Sequence, residues 1–430
     1  MPGRSRVGIV LLGLGVVGGG VARALIERAE TYSQRVGVSL ELRKVLVRDR
    51  FKERSVQLNP ALITTDPEEA LGTECDIVVE VMGGETPARD FIQRSVESGR
   101  YVVTANKEVM ARYGPELLSA ATGAGVDILY EAAVGGGIPI ISPLKRDLSA
   151  NEITSLRAII NGTTNYILTM MSSEEVTFGV ALKEAQQLGY AEPDPTNDIE
   201  AHDAAYKLAI LASLAFHTTV RPDDIYREGI TRLSPRDFRY AAELGYAIKL
   251  LAIARRDAAG IEARVHPTLV PTGLLLSRVS GVLNAVQIEG DLTGRVLFQG
   301  AGAGALPTTS AIMGDVLDAA RSIALGSRPF PWRYSPAVAV IPVSDLISRY
   351  YVRLEAADRP GVLALVAKTF GDNGVSIASV IQKETDEAAQ TAELVVMTHA
   401  ARESAIQLSL RQLESLPEVT QVGNMLRVED

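Results

Sequence analysis

"VGIVLLGLGVVGGGVARAL", residues Val7–Leu25, decides how the rest of the chain is read. A β-rich apolar run leads into Gly13, Gly15 and Gly18 in G-x-G-x-x-G order, and an amphipathic helical pattern follows. The three glycines serve different physical ends: a tight turn, close approach of the backbone to a pyrophosphate, and close packing of helix on strand. The helix N-terminus then receives the negative charge. Spacing alone is a weak signal; strand before and helix after make it a dinucleotide site formed by Gly13, Leu14, Gly15, Val16, Val17 and Gly18. Arg4 and Arg6 ahead of the run also give it the outline of a secretory signal, which the glycines interrupt.

Outward from this segment, to about Ile141, short β-rich runs ("VSLELRKVLV", "DIVVEVMG", "YVVTANK", "VDILYEAAV") alternate with helical patterns. That alternation predicts an α/β, Rossmann-type sheet, doubly wound and mostly parallel. Ligands on such sheets bind outside the carboxyl ends of the strands, where "VMGGETP", "TANKE" and "YEAAVGGGIP" fall. Lys107 of "TANKE" therefore points toward the nicotinamide end of the crevice, at a helix start where the macrodipole disfavours a cation. At the end of the second strand, "VLVRD" sets Arg48 before Asp49. Arginine suits a 2′-phosphate and aspartate a free ribose hydroxyl, so NADP is preferred with NAD as a second option.

Residues 142–325 mix alternating segments with helices, the α+β look of a substrate-binding and dimerisation domain. Between 326 and 349 four prolines (Pro329, Pro331, Pro336, Pro342) and the only tryptophan mark a linker. Residues 350–430 run strand, helix, strand, strand, helix, strand, the order of a ferredoxin-like module, so the expected domains are 1–141, 142–325 and 350–430. The net charge of −9, with no basic block, argues against a nucleic-acid partner. No uninterrupted apolar stretch reaches membrane-spanning length, and a cytoplasmic location is expected. Cys75, alone beside "DIVVEV", reads as a core thiol and excludes a disulfide framework.

The chemistry concentrates in "YAEPDPTNDIEAHDAAYK", residues 190–207, where five acids precede one lysine and "LAILASLAF" follows. Asn197 as N-cap and Glu200 three residues later form a capping box, which predicts a helix from about Asp198 into the apolar run. Asp203 and Lys207 then stack one turn apart, and Ile210, Leu211 and Leu214 continue that face. A lysine at the mouth of a buried stripe exchanges a proton more readily than a solvated one. Pro193 and Pro195 stiffen the loop that presents Glu192 and Asp194 to a substrate carrying an ammonium group; for Asp194 a local structural role is equally open.

The stretch "AQQLGYAEPDPTNDIEAHDAAYK" resembles the homoserine dehydrogenase signature, matched here by Ala185, Gly189, Asp194, Pro195, Asp198, Asp203 and Lys207. Ala201 stands where that family usually has glycine, a departure expected to touch only local helix packing. The resemblance extends over the whole chain, through "NGTTNYIL" and "GAGAGALPTTSA". It implies interconversion of L-aspartate 4-semialdehyde and L-homoserine in threonine and methionine biosynthesis, with Lys207 as proton donor and Asp203 as its orienting partner. It implies also that Glu192 and Asp198 contact the amino-acid substrate, that Lys107 lies by the cofactor and the reacting oxygen, and that Gly302, before a helix at Ser310, approaches the cofactor from the other domain.

The same resemblance reads "EAAVGGGIP" as a monovalent-cation site in which the Glu131 carboxylate and the carbonyls of Val134, Gly136 and Ile138 hold sodium. The C-terminal "DRPGVLALVAKTFGDNGVSI" resembles an ACT domain, a unit that binds amino acids between paired copies. That implies feedback control, with L-threonine the expected effector, and a homodimer or homotetramer. The competing class is a non-catalytic NAD(P)-linked amino-acid sensor, against which Lys207, Asp203 and Lys107 stand.

Overall fold

The computed structural model describes residues 5–327, 338–386 and 388–429. Pro329, Pro331, Pro336 and Trp332 of the expected linker lie outside the described residues. Among the described residues no helix is long and apolar enough to cross a membrane.

Contacts divide the chain into two compact units. The first takes in the described residues of Met1–Thr154, Tyr206–Pro222 and Asn284–Val338. Its sheet comprises β1 (Arg6–Leu12), β2 (Ser39–Leu46), β3 (Ile63–Thr64), β4 (Ile77–Glu80), β5 (Tyr101–Thr104) and β6 (Ile128–Leu129). They are ordered β3-β2-β1-β4-β5-β6 and every pairing is parallel. This is the doubly wound order, with its switch point between β1 and β4. β4 and β5 are buried along their whole length because helices cover both faces. Cys75, just before β4, is half-buried beside the core that includes Val78 and Phe91, and burial pushes its thiol pKa up.

The second unit takes in Ser155–Ala205, Asp223–Leu283 and the described residues of Ala339–Asp430. Its strands neighbour one another in the order Ile153–Ile159, Tyr246–Arg256, Ile261–Pro271, Val419–Val428, Ile347–Ala357, Thr391–Thr398, Ile377–Asp386. The last four, with the helices Val362–Asp372 and Glu403–Glu414, form the ferredoxin-like module expected from the sequence. Its core packs Tyr350, Val352, Val366, Phe370, Ile406 and Leu413 between sheet and helices.

The contacts cut across the linear boundaries expected at 141 and 325. The helix Ala305–Leu325 belongs to the dinucleotide unit, where it packs on the helix Val16–Glu27 so closely that a Cβ on Gly20 would lie 2.2 Å from Thr309 Oγ1. The C-terminal module in turn extends the sheet of the central segments, through parallel pairing of Thr268 with Arg427 and Leu269 with Val428.

Buried ions reinforce that junction. The Glu429 carboxylate accepts from Arg157 at 2.6 Å and also from Arg255. Arg427, almost fully buried, donates to both oxygens of Glu403, at 2.8 and 2.6 Å. Arg353 reaches Asp237 at 2.8 Å and Glu393 at 2.9 Å. Lys249 is buried on the strand Tyr246–Arg256, its Nζ donating to the Val279 carbonyl at 2.6 Å, and burial draws its pKa from 10.5 down to about 8. Local sequence patterns carry no sign of this charge-rich interior, since its partners lie tens to hundreds of residues apart.

Candidate active site

In the first unit the turn after β1 is built of backbone. Gly13 has φ +105°, and a Cβ there would come within 2.8 Å of the Val81 carbonyl oxygen; one on Gly18 would lie 2.1 Å from the Gly13 oxygen. A Cβ on Gly15 would meet nothing within 4 Å. The first and third glycines are thus fixed by the protein, while the room above the second is where a pyrophosphate would sit. Gly15 is the N-cap of the helix Val16–Glu27 and no side chain caps it, so the first-turn amides can serve an anion. Leu14 is buried, Val17 half-buried and Val16 exposed at the rim.

Beyond β2, Arg48 and Asp49 are placed side by side at the strand end, Asp49 exposed. The Asp49 Oδ1 accepts the Phe51 N–H at 2.8 Å, which commits one oxygen to the turn.

Lys107 is the first residue of the helix Lys107–Ala124 and is half-buried. Asn106 caps that helix, its Oδ1 accepting from Val109 N at 3.1 Å while its Nδ2 donates to the Gly84 carbonyl at 2.7 Å. Beneath them lies Glu80, fully buried at the end of β4, accepting from Thr104 Oγ1 at 2.6 Å and Met82 N at 2.8 Å. Burial raises its pKa, against the lowering effect of those hydrogen bonds. Glu80, Thr104 and Asn106 therefore tie together the two loops that flank the crevice. Sequence reasoning missed Glu80, whose only signal is an acid closing an otherwise apolar strand.

Lys207 lies on the helix His202–Ala215, half-buried, and Ile210, Leu211 and Leu214 beyond it are buried as expected. Arg112, five residues after Lys107, donates to the hydroxyl of Tyr206 at 3.1 Å, and its guanidinium lies 5.5 Å from that ring's centroid. Met110, Ala111, Gly114, Ala209, Ile210 and Ser213 line a common small cavity of about 10 Å³. The two lysine-bearing helices are thus packed side by side.

The second unit holds the acids. Asp203 is buried and Asp198 half-buried, and Nδ2 of the buried Asn161 donates to both, at 2.9 Å to Asp203 Oδ2 and 2.7 Å to Asp198 Oδ1. Asn161 lies inside the quoted "NGTTNYIL" but has no local pattern that marks it out. Glu192 is exposed on a loop pinned by Thr163 Oγ1 to the Tyr190 carbonyl (2.7 Å) and by Gln186 Nε2 to the Glu192 carbonyl (3.1 Å). Asp194 Oδ1 accepts from both Thr196 N–H and Thr196 Oγ1, at 3.2 and 2.6 Å, which gives it a local role and lowers its pKa.

Three expectations change here. The capping box of Asn197 and Glu200 does not form: Asp194 captures Thr196, a short turn spans Thr196–Ile199, and the main helix begins at His202. Glu200 instead accepts from Thr231 Oγ1 at 3.3 Å. The break falls on Ala201, fully buried with φ +64°, so alanine in place of the family's glycine costs backbone strain and not merely packing. The helix expected at Ser310 begins at Ala305, and Gly302 belongs to the dinucleotide unit itself, buried where a Cβ would lie 2.1 Å from the Asn284 side chain.

The Glu131 carboxylate is also not free for a cation as expected. Oε1 accepts from Ile140 N (2.6 Å) and Ile141 N (2.8 Å), and Oε2 from Ser142 N (2.7 Å), the orphan donors at the start of the helix Ile141–Lys145. Its own N–H donates to Asp315 Oδ2 at 2.8 Å, and burial pushes the pKa of Asp315 far up. Val134, Gly136 and Ile138, the other residues expected at that site, are all buried.

A glycine-built crevice at the carboxyl ends of a parallel sheet, with two lysine-bearing helices packed together in the same unit, defines an NAD(P)-dependent oxidoreductase. The family model described as "Homoserine dehydrogenase" matches residues 139–317, that described as "Homoserine dehydrogenase, NAD binding domain" matches 13–131, and that described as "ACT domain" matches 350–418. Homoserine dehydrogenases of Neisseria gonorrhoeae and Mycobacterium tuberculosis are 43% and 45% identical to this chain, over 98% of both chains in the first case and 100% of this chain and 99% of the other in the second. The crystal structure of a homoserine dehydrogenase from Thiobacillus denitrificans superposes with a TM-score of 0.92 at 41% identity, covering 100% of both chains. A hyperthermophilic archaeal homoserine dehydrogenase in complex with NADPH matches 73% of this chain and 97% of its own, at 27% identity and a TM-score of 0.61. The chain belongs to the homoserine dehydrogenase family, and it is an enzyme acting on a CH–OH group rather than a sensor.

Proposed function

We propose that this enzyme interconverts L-aspartate 4-semialdehyde and L-homoserine with Lys207 as the proton donor. The observation that carries the assignment is the Arg112–Tyr206 contact, which packs the helix of Lys107 beside that of Lys207. When bound, NADPH supplies the hydride that reduces the aldehyde carbon. Gly13, Gly15 and Gly18 admit the pyrophosphate, and Arg48 takes the 2′-phosphate, supported by the commitment of Asp49 to its own turn; NAD is the second option. Lys207 gives its proton to the developing alkoxide, Asp203 one turn earlier orients it, and the positive charge of Lys107 stabilises the same oxygen. Glu192 and Asp198 bind the substrate ammonium. A monovalent cation, sodium or a like ion, is held by the carbonyls of Val134, Gly136 and Ile138, with Glu131 limited to the remaining lone pair of Oε2.

Regulation is proposed through the ACT module with L-threonine as effector, in a cytoplasmic homodimer or homotetramer of the threonine and methionine pathway. The position of Ile377–Asp386 at the end of its sheet supports pairing of two modules there. The test is NADPH oxidation with aspartate semialdehyde. Lys207→Ala should lower kcat by roughly 10²–10⁴-fold, and undiminished turnover would remove Lys207 from the mechanism. Threonine should both slow the wild type and raise its thermal midpoint; no change in either would end the regulatory assignment.

A further inference from the structure

We infer that Asn161 is a positioning residue which holds the Asp198 and Asp203 carboxylates together on a single neutral donor. The inference rests on the roles proposed above for those two acids. Asn161 follows the strand Ile153–Ile159 and caps the helix Gly162–Ser173. Its Oδ1 accepts from Thr164 N at 2.9 Å and Thr164 Oγ1 at 3.0 Å. That commitment fixes the orientation of the amide, because an Nδ2 turned toward Thr164 N–H would set donor against donor. Nδ2 therefore faces Asp198 and Asp203, which as carboxylates can only accept, and each of its two protons serves one acid.

The choice of a neutral donor has a consequence for charge. Two carboxylates on one nitrogen lie no farther apart than its two hydrogen bonds allow, and their repulsion in a buried setting favours a cation between or beside them. An arginine or lysine in place of Asn161 would supply that cation permanently and compete with the substrate. Asparagine fixes the geometry without adding a charge of its own, so that the pair keeps its attraction for the substrate ammonium. Asn161 thus links the acid assigned to the substrate with the acid assigned to the proton donor.

Asn161→Asp tests this, since it is isosteric, retains an oxygen for the cap at Thr164 and replaces the donor by a third acceptor whose charge repels both acids. Asn161→Ser, also a good cap, serves if the added charge impairs folding. Either variant should lower kcat/KM for aspartate semialdehyde by roughly 100-fold and leave KM for NADPH within a factor of about two, and Asn161→Ser should keep a thermal midpoint near wild type. A residue that merely caps a helix would not separate the two substrates in this way. Asp198→Asn and Asp203→Asn are measured alongside. If both acid variants are defective and the Asn161 variants match wild type, the inference is overturned and the acid roles stand. Wild-type kinetics in the acid variants would overturn those roles and the inference with them.

Discussion

The crevice of the dinucleotide unit and the acid cluster of the second unit are made of different material. The first is backbone: glycines without side chains, amides at a helix start, carbonyls at strand ends. The second is side chain: one amide nitrogen between two carboxylates, on an interior that also buries Arg427, Glu403, Glu429 and Lys249. A backbone site discriminates by space and is insensitive to protonation, whereas a side-chain site discriminates by charge and carries the desolvation cost of every ion it buries.

The largest effect expected from this contrast is at Lys249. Its pKa is about 8 in the folded chain against 10.5, so between those values the unfolded chain binds a proton that the folded one does not, and stability rises with pH across that window. Below pH 8 the folded state carries the full cost, about 3 kcal/mol for the shift. Lys249→Met should recover up to that amount in denaturant unfolding at pH 7 and progressively less toward pH 10.5. A loss of stability at pH 7 would mean that the bond to Val279 outweighs desolvation.

Gly15→Ala probes the backbone side. The new methyl meets open space in the protein but would occupy the room proposed for the pyrophosphate, so dinucleotide affinity should fall by roughly 100-fold with an unchanged thermal midpoint. A lowered midpoint with intact affinity would show that the space belongs to the fold and not to the cofactor. The smallest effect is at Ala201, where Ala201→Gly relieves φ +64°. A gain of about 1 kcal/mol is expected, reduced by the greater freedom of glycine in the unfolded chain, with kinetics unaltered; destabilisation would show that the methyl's packing outweighs its strain.

The contrast also explains what could be read from the sequence. Gly13, Gly15 and Gly18 announce the crevice because their roles are local and follow one another within a single turn. The ferredoxin-like module is legible for the same reason, its strands and helices each carrying their own periodicity. Asn161 meets Asp198 and Asp203 across 37 and 42 residues, and nothing in its own neighbourhood signals those partners. The misplaced helix start failed through competition: Asn197 and Glu200 fit a capping box, but Asp194 had already taken Thr196 and Ala201 had turned the backbone left-handed. The Glu131 carboxylate likewise answers the unpaired amides of a helix nine to eleven residues on, which local pattern does not reveal.

The parallel seam between Ile261–Pro271 and Val419–Val428 bears on how the proposed effector control can be dissected. Excising the C-terminal module would strip a strand from the middle of a sheet, unpair the Thr268–Leu269 end of Ile261–Pro271, whose other end stays paired with Tyr226–Arg227, and strand Arg157 and Arg255 without Glu429. Truncation would therefore report on solubility before it reported on regulation. Losing the module would require remaking that end of the strand, so relatives without it should differ in sequence around Thr268 and Leu269 as well as in length.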